Sequence, residues 1–236
     1  MAYIGPAGLS RGDAPTGPTW EAIHKLTQEH NMPIILVATT NPGKLDEYRH
    51  LLSDLPGTQV VSPNDAEVWV EVAETEPTLD GNALLKARAL YEALPQEAHA
   101  EGWWVLGDDS GLEVDALGGA PGVHSNRWAG PNTNAADRNR LLLERLANVP
   151  DEARTARFRC VIALIDPTGR EQLVEGAVKG RIAREPRGSG GFGYDPIFEL
   201  PNGRRMAELT PDEKNEISHR GVAGKKALEV LQRAQA

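Results

Sequence analysis

The chain has 236 residues, 40% hydrophobic and 25% charged, with a formal net charge of −9. That suffices for a buried core, as one large domain or two lobes, while the acidic balance argues against nucleic acid as a partner, since duplex binders carry a basic face. No apolar run reaches the roughly 18–20 residues that span a bilayer, and no N-terminal stretch has the basic-then-apolar pattern of a signal peptide, so no membrane contact and a cytoplasmic location are expected.

Residues 1–32 open with Gly5-Pro6 and Gly17-Pro18 and read as a flexible extension, with residues 20–30 as a candidate short helix. The folded domain is expected over 33–236. Ile34 to Ala38 is a continuous apolar run, as for a strand covered on both faces. A turn over Thr39, Thr40, Asn41, Pro42, Gly43 and Lys44 follows, then a helix over 45–55. Short strands are expected near 60–61 and 68–72, a helix over 83–94, and a strand over 103–106 that ends at Gly107-Asp108-Asp109-Ser110-Gly111. Gly118 to Gly122 reads as a tight loop and 137–146 as a helix. Long strands over 157–165 and 172–182 flank the turn Asp166-Pro167-Thr168-Gly169. The single cysteine, Cys160, falls in the first of these, where a buried strand residue is expected, and it excludes an internal disulfide. A last helix covers 222–231. Strands and helices mix throughout, which makes the class α/β with a mixed sheet.

Three stretches carry chemistry. The turn Thr39–Lys44 lies between a strand and a helix, where backbone N–H groups and the helix dipole can hold phosphate oxygens, with Lys44 adding charge. It is no P-loop: Ala38 stands where the first glycine would be and Leu45 where the final hydroxyl would be. Asp108 and Asp109 are read as following a buried strand, where α/β active sites place their carboxylates. Adjacent, they project differently, so one can bind Mg²⁺ and one can activate water. Ser110 can donate to a phosphate oxygen. Finally, Gly190-Gly191-Phe192-Gly193-Tyr194-Asp195-Pro196 puts two aromatic rings in a glycine-dense loop, with Lys214, His219 and Arg220 close behind. Glycines admit close backbone approach, rings stack on planar bases, and cations hold phosphates. Glu71, Glu74 and Glu76, and Lys86 on the next helix, read by themselves as solvated charges.

Six motifs occur in order: Thr39–Lys44, Asn82–Ala87, Asp108–Leu112, Leu117–Val123, Gly190–Pro196, and Glu213-Lys214 with Ser218–Gly221. Over Ile34 to Leu231 the chain resembles the inosine/xanthosine triphosphate pyrophosphatases. That resemblance implies hydrolysis of ITP, dITP and XTP to the monophosphate and pyrophosphate. It also implies Mg²⁺, a homodimer, and an elongated mixed β-sheet with two α/β lobes flanking a central substrate cleft. Carried over by motif, it makes Asp109 the proton acceptor and a metal-linked carboxylate. It gives Thr39, Thr40, Asn41, Pro42, Gly43, Lys44 and Ser110 to the phosphates, and turns Lys86 towards the triphosphate. Phe192, Gly193, Tyr194 and Asp195 form the loop that holds the base, and Lys214, His219 and Arg220 contact base and phosphates. Glu74 fits the second metal carboxylate, with Glu71 as fallback. The family pattern often has an acidic residue directly before the motif's asparagine. This chain has Gly81 there, after Asp80, which can substitute.

On these residues, Phe192 or Tyr194 stacks on the purine, and donors among Lys214, His219, Arg220 and loop N–H groups meet its 6-oxo group. Two other readings use the same features: a pyrophosphatase for another modified nucleotide, and a purine-nucleotide sensor that does not hydrolyse. Asp109 speaks against the sensor, since a binder gains nothing from a carboxylate beside a triphosphate unless a metal intervenes.

Overall fold

The structure, a computed structural model, describes residues 2–4, 34–66, 68, 70–131 and 133–235. Of the N-terminal extension only strand β1 (Ala2–Ile4) falls among them, and the helix expected over 20–30 lies outside the described residues. The chain divides into two compact units. One comprises residues up to 109 with 161–174 and 224–236, the other 110–160 with 175–223. Among the described residues no helix is long and apolar enough to cross a membrane.

The first unit is built on β2 (Ile34–Val37), whose four residues are all buried, as a continuous apolar run requires. It pairs in parallel with β3 (Gln59–Val61), Ile34 opposite Gln59, and with the start of β5 (Trp104–Val114), Ile35 opposite Trp104. Helix α1 (Pro42–Leu51) starts where Asn41 caps it and Pro42 occupies its first turn. Strand β4 (Val70–Val72) pairs with β1 in a separate two-stranded sheet, Glu71 opposite Tyr3. Helix α2 (Leu79–Ala93) begins at Thr78, whose side chain accepts from Gly81 N, and is followed by the short α3 (Gln96–Ala100).

Strand β5 departs from the sequence expectation. It does not end at Gly107 but runs on to Val114, so Asp108 and Asp109 lie inside a strand rather than at its carboxyl end. Glycine and aspartate are poor strand formers, and propensity reads the run as a turn. Tertiary partners override it. A methyl at Gly107 would overlap the Ala83 carbonyl oxygen and lie 2.8 Å from Ala87 N, so α2 packs directly on the strand there. Asp108 and Asp109 point to opposite faces, as alternation demands, and a lysine from a different helix meets each. Gly107→Ala is therefore expected to lower stability by about 1–3 kcal/mol, as overpacking does, read as a lower urea midpoint. A raised midpoint, the usual effect of alanine for glycine in a strand, would contradict this packing.

In the second unit, β6 (Pro121–Gly122) runs antiparallel to β5, and α4 (Ala135–Arg145) opens on a reciprocal cap between Asn134 and Asp137. Strands β7 (Thr155–Ile165) and β8 (Glu171–Ile182) each have residues in both units, joined at the turn where Asp166 N donates to Arg170 O at 3.1 Å. Strand β9 (Phe198–Glu199) pairs antiparallel with the end of β8. Parallel and antiparallel pairs coexist, so the mixed α/β class is as expected. Helix α5 (Pro211–Ile217) is capped by Thr210 and Glu213, and α6 (His219–Gln235) follows. This unit's core gathers Leu112, Phe158, Ile182, Ile197, Phe198 and Met206, with the Phe158 and Phe198 rings 4.6 Å apart.

Candidate active site

In the first unit the chemistry centres on β5. Asp108, 2% exposed, is ion-paired through Oδ1 with Lys44 Nζ, and Tyr48 OH donates to its Oδ2 at 2.7 Å. Lys44 and Tyr48 lie four residues apart on α1, one turn along the same face. Asp109 is served from α2. Lys86 Nζ donates to Asp109 Oδ1, to the Asp108 carbonyl oxygen and to Glu74 Oε1, each at 2.9 Å. Lys86 itself is 6% exposed. It stands between Ala83 and Leu90 on the buried stripe of α2, so the expectation that it is a surface charge fails for a reason helical periodicity states.

Glu74, not Glu71, meets Lys86: Glu71 is an exposed residue of β4 opposite Tyr3. Asn82 holds the segment between Glu74 and α2, accepting from Glu76 N at 3.1 Å and donating to Glu76 O at 3.2 Å. Asp80 lies in the first turn of α2. A methyl at Gly81 would fall 2.7 Å from Glu76 Cβ, so no larger residue fits at 81 without displacing that segment.

The cluster carries three carboxylates, on Glu74, Asp108 and Asp109, against the two ammonium groups of Lys44 and Lys86. Burial pushes the Asp109 carboxyl above its ordinary value, and Lys86 and Lys44 oppose that shift without cancelling it. Burial alone would lower Lys86; Asp109, Glu74 and Asp108 outweigh it and hold the ammonium above its ordinary value. Asp109 Oδ2 is buried and has no hydrogen-bond partner among the described residues. An unpaired buried carboxylate oxygen is costly, and it is the one oxygen of this side chain left for a reacting group.

The turn before α1 is differently arranged from a ready phosphate cradle. Asn41 Oδ1 accepts from Gly43 N at 2.9 Å and Lys44 N at 3.3 Å, and Thr39 Oγ1 accepts from Asn41 N at 3.1 Å. Pro42 has no N–H, and Thr40 is exposed. Several of the N–H groups expected to face phosphate are thus engaged by the turn's own side chains, because Asn41 acts as the helix cap.

In the second unit the base-loop residues separate into platform and support. Phe192 is half-buried, with Lys214 Nζ 4.5 Å and Arg220 Cζ 5.6 Å from its ring centroid. Asp195 is 3% exposed, and its Oδ2 accepts from Phe192 N and Lys214 Nζ, both at 2.8 Å. Arg220 donates to Ser110 Oγ at 3.0 Å. His219 stacks on Phe158, centroids 4.8 Å apart and planes within 15°. Tyr194 corrects one expectation: its ring belongs to the hydrophobic core, its OH donates to Ser125 O at 2.9 Å, and burial pushes its pKa up to about 12. A ring only 4% exposed is no stacking face; of the two aromatics, Phe192 is the less buried.

The loop needs its glycines. Gly191 and Gly193 have φ of +68° and +64°, and a methyl on Gly191 would overlap Asp195 Oδ2. Asn139 Nδ2 ties the Gly193 carbonyl at 3.2 Å. Gly191→Ala is expected to displace Asp195, release Phe192 N and Lys214, and raise KM for a purine triphosphate about tenfold or more while kcat falls less. Steady-state kinetics check this, and an unchanged KM would contradict it.

Tyr48, the partner of Asp108 and the Asn139 tie went unread in the sequence as site residues. Tyr48 carried a weak signal, a polar aromatic four residues after Lys44; Asn139 carried none.

The first unit's side chains can hold anionic groups and the second unit's a flat ring, the chemistry of an α/β protein that handles nucleotides. The Ham1 family model matches residues 35–230, and the chain belongs to that family. It is 49% identical over 198 residues to a dITP/XTP pyrophosphatase of Symbiobacterium thermophilum, covering 84% of this chain and 94% of that protein. It is 43% identical over 198 residues to the dITP/XTP pyrophosphatase of Bacillus subtilis, covering 84% and 96%. A HAM1 protein structure from Coxiella burnetii superposes with a TM-score of 0.72 at 41% identity, covering 86% of this chain and all of that one.

Proposed function

We propose that the chain hydrolyses non-standard purine nucleoside triphosphates, ITP, dITP and XTP, to the monophosphate and pyrophosphate. The observation that carries the reading is the buried, partnerless Oδ2 of Asp109, on a carboxylate whose other oxygen Lys86 fixes. Asp109 Oδ2 accepts the proton of a water as its oxygen attacks the α-phosphorus, and the α–β phosphoanhydride bond breaks to release pyrophosphate. Lys86 holds the carboxylate in place and supplies positive charge beside it. Lys44, turning from Asp108 towards the triphosphate, neutralises phosphate charge together with Ser110 and the Thr39–Gly43 turn, whose N–H groups the incoming oxygens take over from Asn41.

Mg²⁺ suits the donor chemistry present: Glu74 and Asp109 offer hard carboxylate oxygens in a cluster with surplus negative charge, although among the described residues no three ligating side chains converge on one point. Bound there, it would neutralise the phosphates and stabilise the charge of the leaving pyrophosphate. Phe192 stacks on the base, while Lys214, Arg220 and His219 present cations and donors to the 6-oxo group that adenine lacks. Asp195 acts through Phe192 and Lys214 as a positioning residue. The same reading includes a homodimer in the cytoplasm.

Pyrophosphate release from ITP, XTP, dITP, dUTP and ATP, with and without Mg²⁺, tests the assignment. Preference for the 6-oxo purines by about 10²-fold or more over ATP supports it. Preference for dUTP, or binding of ITP without turnover, would replace it with one of the other two readings.

A further inference from the structure

Far along the chain from the catalytic carboxylate, the second unit contains a hollow of about 200 Å³. Its lining is unlike the rest of this acidic chain. Two arginines in it are buried: Arg154 is 2% exposed and Arg205 3%. Three more, Arg181, Arg184 and Arg187, have half-exposed side chains and also face it. The carboxylates among its lining residues are Asp151, Glu185 and Glu199. Five guanidinium groups thus meet three carboxylates.

The pairing is uneven. Glu199 is shared, taking both Arg181 and Arg205. Arg184 reaches Asp151 at 2.8 Å and Arg187 reaches Glu185 at 2.9 Å. Among the described residues, Arg154 hydrogen-bonds to no carboxylate. Each of its three nitrogens donates to a carbonyl, Nε to Ile182 at 2.7 Å, Nη1 to Leu146 at 2.6 Å and Nη2 to Ala183 at 2.9 Å. Burial, with Arg184 nearby, depresses its pKa, and the opposing charge of Asp151 does not cancel that shift. Arg205 Nε is buried with no acceptor among the described residues. Buried cations are ordinarily paired, and a buried N–H without an acceptor is rare. Arginine's planar fork is the donor geometry that matches phosphate oxygens.

We propose that this hollow is a second anion site that binds a small phosphate dianion, inorganic phosphate or the phosphate group of a larger molecule. Arg154 and Arg205 form its floor, and Arg181, Arg184 and Arg187 close on the anion from the rim. The excess of two positive charges matches a dianion, and the volume admits one phosphate or a pyrophosphate.

Titration calorimetry with inorganic phosphate, in EDTA and at ionic strength matched with chloride, tests it on the full chain. Wild type is expected to bind one phosphate per chain at a site that weakens at least about tenfold in Arg184→Ala/Arg187→Ala, with ITP turnover unchanged. Glu185→Gln, which removes a competing carboxylate, is expected to bind phosphate several-fold more tightly. That is a gain no folding defect produces. Pyrophosphate and AMP are titrated in parallel: binding of phosphate and pyrophosphate without AMP identifies a free-oxyanion site, and equal binding of AMP identifies a site for a nucleotide's phosphate. Superimposable phosphate isotherms for wild type and both variants would overturn the proposal. Because the readout is binding without Mg²⁺, it stands or falls separately from the hydrolytic reading.

Discussion

Asp109→Asn is expected to lower kcat for ITP by ~10²–10⁴ while KM changes little. The substitution is nearly isosteric, and the asparagine oxygen still accepts from Lys86, so the surroundings stay packed. What disappears is a basic oxygen. Oδ2 of Asp109 has no partner among the described residues, so its loss breaks no bond of the ligand-free fold. An effect confined to kcat is the signature of a group that acts in the transition state. Burial raises the carboxyl's pKa, which makes it a stronger base than an exposed aspartate. Circular dichroism should report an unchanged fold, and stopped-flow pyrophosphate release gives the rate. Wild-type turnover in the variant would remove Asp109 from the chemistry.

Lys86→Met produces the second large effect, on stability as well as rate. Methionine fills most of the lysine's volume but leaves Asp109 and Glu74 facing each other without a cation. Both carboxylates are largely buried, at 9% and 17% side-chain exposure, and removing one partner of such a group costs about 3–5 kcal/mol. The loss appears as a lower urea midpoint. The pH dependence has a definite sign. Asp109's folded pKa already lies above its unfolded value, so protonation favours the folded state and that advantage fades as pH rises through the folded pKa. Lys86 is the strongest influence holding this pKa down. Without it the pKa climbs further, and the acid limb of kcat/KM moves to higher pH. Lys86→Met/Asp109→Asn should recover part of the lost stability, since one stranded charge is gone. Strictly additive losses would show that the two side chains are not coupled.

How much of this was legible in the sequence depends on whether a feature is local. The apolar run at Ile34–Val37 and the long strands around Cys160 and Lys179 declared themselves through patterning, and their ends agree within about two residues. Helix α2 starts four residues before the expected Ala83 because the Thr78 cap, not the first buried alanine, sets its beginning. Helix α5 went unread because its seven residues show no apolar stripe; what starts it is the reciprocal cap between Thr210 and Glu213 with proline at the first position. Strand β5 was unreadable past Leu106, since what keeps Gly107–Gly111 extended is its neighbours in the sheet and the packing of α2 rather than its own residues. The site followed the same rule. Motif order picked out Asp109, Lys86 and Phe192, yet no spacing reveals that Tyr48 answers Asp108 sixty positions away, or that Tyr194 turns inward while Phe192 stays at the surface.

The central claim is that a water, deprotonated by Asp109, attacks the α-phosphorus of a non-standard purine triphosphate. Its most direct test is ITP turnover in ¹⁸O-enriched water with mass analysis of both products. The expected result is label in the phosphate of IMP and none in pyrophosphate, at a rate that collapses in Asp109→Asn. Label in pyrophosphate or in released inorganic phosphate would contradict it.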